Sequence, residues 1–203
     1  MSATTTRDLV TRLATTDNPA ALALARTITD VWYRTQALAW VSRFAPEAKF
    51  KAIVLESLAA CSAADDPYQA VGAAAWSIRV LVERVHSNEV LCLLPKLLTR
   101  AADIANPVSR LDALFLLWQA VFPGGITVHQ QVLEPLVEAC QQADSWKSSD
   151  TLRQVALILA SDALPEAQQL VSFMPDGRRK RQVQREIAAG QYQYPRTFFW
   201  YST

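Results

Sequence analysis

The stretch Asp30–Phe44, DVWYRTQALAWVSRF, decides the fold. It opens on Asp30, a residue type that starts helices by accepting a backbone N–H in the first turn. Arg34 follows four positions later and Ala37 three after that. The same order returns along the chain: Asn106, Arg110 and Ala113 repeat it, and so do Ser149, Arg153 and Ala156. Asp66, Ala70 and Ala73 keep the cap and the small residue but lose the Arg, and Asp176, Lys180 and Val183 form a looser last copy. A fixed local unit returning every ~30–45 residues is the mark of a stacked helical repeat.

Outward from these units, the pattern predicts pairs of helices. Thr6 can cap a first helix, from Arg7 to about Ala14. Asn18 and Pro19 then suit a cap and a first helical position, where the missing proline N–H costs nothing. Pro19 precedes Asp30 by the same interval that separates Pro95 from Asn106 and Pro165 from Asp176. The middle of the chain predicts helices over 48–63, 67–85, 89–105, 107–121, 128–143 and 149–163. Pro123-Gly124-Gly125 is the clearest break. Pro95 and Pro135 fall inside helical patterns, where each should kink its helix or divide it. No stretch shows the two-residue alternation of a hairpin, so the body is expected to be all-α without sheet.

Composition agrees. Of 203 residues, 51% are hydrophobic and only 5 are Gly, which excludes disorder and a turn-rich β fold. The net charge of +1 gives no overall attraction to nucleic acid or to an acidic membrane. Cys61, Cys92 and Cys140 include no C-x-x-C pair and lie in apolar helical stretches, so buried free thiols and a reducing compartment are expected. The first residues lack the apolar core of a signal peptide, and no uncharged apolar run reaches the ~18–20 residues of a membrane span. A cytoplasmic protein is the expectation.

Segments 20–45 and 164–189 resemble helical hairpins of the HEAT and TPR α-solenoid class. The TPR pattern of Trp, Leu-Gly, Tyr and Pro is not reproduced, so HEAT-like is the closer description. The resemblance implies a right-handed α-α superhelix of about five antiparallel helix pairs over residues 1–190. Such arrays bind protein or peptide along a concave face, and a minority bind nucleic acid.

The residues leave two roles open for the repeated Arg34, Arg110 and Arg153. They stitch neighbouring units by bonding caps and carbonyls, or they form a basic row for carboxylates or phosphates of a partner. Ala70 interrupts that row. Ala37, Ala73, Ala113 and Ala156 read as close-packing positions. Trp40 and Trp76 each follow a repeat Ala by three positions, which points to equivalent packing, whereas Trp32 and Trp146 lie near helix starts and are candidates for a partner surface. Arg178, Arg179, Lys180, Arg181 and Arg185 form a basic helix, either the solvated face of the terminal unit or a salt-dependent grip on nucleic acid or an acidic partner.

After Gly190 the chain changes character to QYQYPRTFFWYST. Six aromatic residues are too much apolar surface to hang in water. This tail is expected to fold back on the last repeats or to dock into a second copy, making a homodimer through residues 191–203. No catalytic pattern accompanies it. His86 and His129 are far apart, Glu134 and Glu138 read as a solvated pair, and no metal, phosphate-cradle or nucleophile motif occurs. The expected function is therefore a non-enzymatic scaffold without a cofactor.

Overall fold

The computed structural model describes residues 1–143 and 146–199. Eleven α-helices and no strand occur among them: α1 (Ala3–Leu13), α2 (Asn18–Arg26), α3 (Val31–Phe44), α4 (Glu47–Ser62), α5 (Pro67–Glu83), α6 (Ser87–Ala102), α7 (Pro107–Val121), α8 (Ile126–Ala143), α9 (Trp146–Leu159), α10 (Leu164–Ser172) and α11 (Arg178–Ala188). A 3-10 turn, Phe122–Gly124, ends α7 at the expected break.

The helices form two rows. The odd-numbered helices pack in series, α1 on α3, α3 on α5, α5 on α7, α7 on α9 and α9 on α11. The even-numbered helices lie over the seams between them, and within that second row α6 packs on α8. The central odd helices are buried nearly all round. In α5 the run Ala70–Ile78 is wholly withdrawn from solvent, and α3 and α7 bury most of their length. A helix apolar on every side needs cover on every side. The even helices supply one cover, and the C-terminal tail supplies another.

Local chemistry sets the boundaries. The Asp30, Asp66 and Asn106 side chains accept from the N–H groups of Tyr33, Tyr68 and Ser109 at 3.1, 2.9 and 3.0 Å, fixing the starts of α3, α5 and α7. The remaining expected caps need correction. Ser2, not Thr6, caps α1 by accepting from Thr5 N–H at 3.2 Å, and Thr6 donates its hydroxyl to the Ser2 carbonyl. Asp17, not Asn18, caps α2, and Asn18 instead donates to the carbonyls of Ala14 and Val41, tying α1 to α3. Ser149 lies inside α9, because the first turn of α9 is held onto α7 by the ion pair Lys147–Asp112 at 2.7 Å. Gly177 holds the cap position of α11, and Asp176 pairs with Lys180 at 2.9 Å.

Pro95 and Pro135 divide neither α6 nor α8. Pro95 faces solvent, where a carbonyl that loses its intrahelical donor can be hydrated. Cys61 and Cys140 are buried free thiols, as expected, but Cys92 is exposed on the outer side of α6. Ala37, Ala73, Ala113 and Ala156 are all buried at the helix seams.

Candidate functional site

The site with the most built character is the face of the odd helices that carries the tail. α11 ends on Gly190, whose φ of 67° places it in the left-handed region, and the Gln191 N–H bonds back to the Glu186 carbonyl at 2.9 Å. This turn sends the chain back over the helices already laid down. Gln193 N–H donates to the carbonyl of Leu157 in α9 at 3.2 Å, and Arg196 N–H donates to Oε1 of Gln119 in α7 at 3.0 Å. Phe198 then meets Trp76 of α5 edge to face at 5.3 Å, and Phe199 meets Trp40 of α3 in the same manner at 5.0 Å. Both phenyl rings are almost fully buried, at 2% and 3% exposure. The tail therefore runs from α9 past α7 to α5 and α3, against the chain order of the units. Trp200 and Tyr201, part of the aromatic run, lie outside the described residues.

Charged groups frame the two phenyl rings. Glu83 at the end of α5 accepts from Arg43 of α3 at 2.8 Å and from Arg79 at 2.9 Å. The Arg43 guanidinium lies 4.7 Å from the Phe199 ring centre, and those of Arg79 and Arg196 lie 5.9 and 5.6 Å from that of Phe198. Glu83 thus orients two cations that sit against the tail aromatics. Gln119 is nearly buried itself, so its amide oxygen presents one fixed acceptor to the passing backbone.

The repeated Arg side chains occupy the seams. Arg34 approaches Glu56 of α4 at 3.7 Å, and Glu56 also takes Arg26 of α2 at 2.7 Å. The Arg26 guanidinium, followed by that of Arg34, holds the Glu56 carboxyl below the usual carboxylate range. Arg110 donates to the Ile104 carbonyl from Nε and Nη2 at 3.0 and 2.8 Å, and to Gln142 of α8 at 3.0 Å. Arg153 forms a two-pronged pair with Glu186 of α11, at 2.9 and 3.0 Å.

Trp32 is half-buried, stacked on Tyr68 at 6.1 Å and edge-on to Trp76 at 5.5 Å. Trp146 is 78% exposed at the start of α9. Arg178, Arg181 and Arg185 lie along one exposed face of α11, while Arg179 pairs with Asp150 at 3.2 Å and Lys180 with Asp176. The structure brings these candidates to three separate places: the seams, the ends of individual helices, and the outer face of α11.

Several residues of the tail face carried no signal of their own in the sequence. Gln119, Arg43, Arg79 and Glu83 are ordinary helix residues until the tail is laid across them. The matched positions of Trp40 and Trp76 did point to a shared role, and that role is to receive successive phenylalanines.

Burial sets the protonation of three interior groups. Burial pushes the Cys61 thiol up to about 11 and that of Cys140 up to about 12, so both stay protonated at neutral pH. Burial holds the His129 imidazole below its ordinary value, neutral between Trp118 and Phe122. Among the described residues no three His, Cys, Asp or Glu side chains gather in a metal-holding group, and no helix is long and apolar enough to cross a membrane. Compared with known protein families, curated proteins and solved structures, the chain matches none of them.

Proposed function

We propose that this chain is a HEAT-like helical-repeat binding protein, working in a reducing cytoplasmic setting and without catalysis. It takes an extended aromatic polypeptide segment along the face of its odd-numbered helices. The supporting observation is the seating of Gln193–Phe199 on that face, with Phe198 and Phe199 in the sockets of Trp76 and Trp40. An extended segment is best held by regularly spaced apolar sockets with a polar group for its backbone, and this face offers both. The tail is then the resident occupant. A partner segment of the same chemistry competes with it, against the high effective concentration of a tethered ligand. In this proposal Arg34, Arg110 and Arg153 hold units together, while Trp32 and Trp146 are secondary contacts at most.

A labelled peptide of residues 191–203 tests this directly. Saturable binding to a chain ending at residue 190, and much weaker binding to the full chain, is the expected result. A shortened chain that keeps its helical circular dichroism yet ignores the peptide would sink the proposal. If the shortened chain does not fold, the full-length double variant Phe198→Ser, Phe199→Ser opens the same sockets.

One observation favours a second reading. Arg178, Arg181 and Arg185 share an exposed face and have no ion pair among the described residues. That face supports salt-dependent binding of nucleic acid. Retention on immobilised DNA that falls steeply with added salt, and that is lost with all three Arg replaced by Gln, is its expected signature.

A further inference from the structure

The gap in the Arg series has a structural consequence. In α3 the Arg34 position sends a guanidinium into the seam between α2 and α4, where Arg26 and Glu56 complete the closure. In α7 the Arg110 side chain fills the corresponding seam beside α8 through Ile104 and Gln142. In α5 the equivalent residue is Ala70, and no side chain crosses from it. Between α4 and α6 there is instead a cavity of about 510 Å³, floored by Ala70 and Ala74 and walled by Leu58, Cys61, Leu93 and Leu97. Leu55, 61% exposed, stands at its open side.

Ala70 and Ala74 lie on the side of α5 turned away from Trp76 and Arg79, so the cavity is separate from the tail face. Its walls are apolar, and its charged groups are confined to the rim. Lys96 and Arg100 stand one turn apart on α6. Arg100 is already committed, donating to the Ala64 and Asp65 carbonyls at 3.0 and 3.2 Å and lying 3.6 Å from Asp103. Lys96 has no ion pair among the described residues, and its neighbour Thr99 uses its hydroxyl on the Pro95 carbonyl.

We infer that this cavity binds a single-chain amphiphile with one negative charge, a free fatty carboxylate. The alkyl chain lies on Ala70 and Ala74 between the leucines, and the carboxylate meets Lys96. Two magnitudes select this occupant. The volume falls within the range of small-molecule sites, roughly 300–1,000 Å³. A partner helix ~10 Å across with a pitch of ~5.4 Å fills roughly 420 Å³ in each turn, so the cavity has room for little more than one turn of it. The single unpaired ammonium, beside an Arg–Asp pair that is already neutral, suits a monoanion better than a phosphate.

The test uses the full chain and dodecanoate below its micellar concentration, followed by calorimetry. One saturable site is expected, with the neutral analogue dodecanol binding more weakly. Ala70→Arg restores the residue that the neighbouring units carry and should abolish binding while leaving the helical signal and melting temperature near the original. Lys96→Ala should weaken dodecanoate by roughly three- to fivefold and leave dodecanol unchanged, as expected for one solvent-facing ion pair. If Ala70→Arg fails to fold, Leu97→Asp in the half-buried wall serves in its place and should also abolish binding. Absence of saturable binding, binding that survives both cavity variants, or capture only by phosphatidylserine vesicles would each overturn the assignment.

Discussion

Phe199 meets Trp40 edge to face with 5.0 Å between ring centres, although the two residues are far apart in the sequence. Phe198 does the same with Trp76 at 5.3 Å. These contacts close the described chain on itself, so that the terminal segment reports on the packing of the first units. Both rings are buried, and aromatic pairs of this geometry contribute beyond the area they bury. Replacing Phe199 by Ala should therefore cost about 3 kcal/mol, at the lower end for a buried phenylalanine because the strap can lift from the helices. The urea midpoint should fall accordingly. A midpoint that stays put would show that the strap contributes nothing to the fold of the helices.

How far these features could be read in advance depends on how local their causes are. Asp30, Asp66 and Asn106 cap within their own first turns, so the starts of α3, α5 and α7 were visible in the sequence. The start of α9 was not, because the Lys147–Asp112 pair with α7 extends that helix past the apparent cap at Ser149. The need to bury the aromatic tail was plain from its composition. Its path was not, since it depends on two Trp residues presented by α3 and α5 and on the acceptor of Gln119. The missing Arg at position 70 was equally plain. That it leaves a cavity depends on the spacing of α4 and α6, which no local pattern encodes.

Val85 ends α5 with φ of 62°, the one described residue other than glycine in the left-handed region. The His86 N–H reaches back to the Leu81 carbonyl at 2.9 Å, which is the long bond of a helix-ending turn that glycine usually makes. A β-branched side chain is strained there, and Val85 is 85% exposed, so it recovers little by burial. Val85→Gly should stabilise the protein by about 0.5–1 kcal/mol, the relief of strain outweighing the greater freedom of glycine in the unfolded chain. Thermal melting that shifts downward would contradict this.

Gly72 is needed for a different reason. A Cβ at that position would lie 2.8 Å from Cζ3 of Trp32, a ring already stacked on Tyr68 and edge-on to Trp76. Alanine in a helix interior is ordinarily favoured over glycine by about 1 kcal/mol. Here the ring must move and break its stack, so Gly72→Ala should instead destabilise by about 1–2 kcal/mol. The near-ultraviolet circular dichroism of the indoles should change with it. Stabilisation with an unaltered spectrum would show that the ring yields freely.

The Arg153–Glu186 pair predicts how the last helix responds to acid. Arg153 binds both carboxylate oxygens at 2.9 and 3.0 Å, and Gln182 adds a third bond at 2.9 Å. The hydrogen bonds from Arg153, ahead of the smaller opposing effect of burial, hold the Glu186 carboxyl below its ordinary value of 4.5. As pH falls, the unfolded chain protonates this group first, near that ordinary value, while the folded chain still holds it charged. The unfolded state then binds more protons, so stability from this pair is complete above about pH 5 and is lost as pH descends through the lowered folded value. Arg153→Met removes the partner and should cost about 1 kcal/mol at pH 7. The difference between variant and parent should shrink on the way to pH 3. Equal differences at both pH values would mean that Arg153 holds α11 on α9 by the packing of its stem and not through the Glu186 carboxylate.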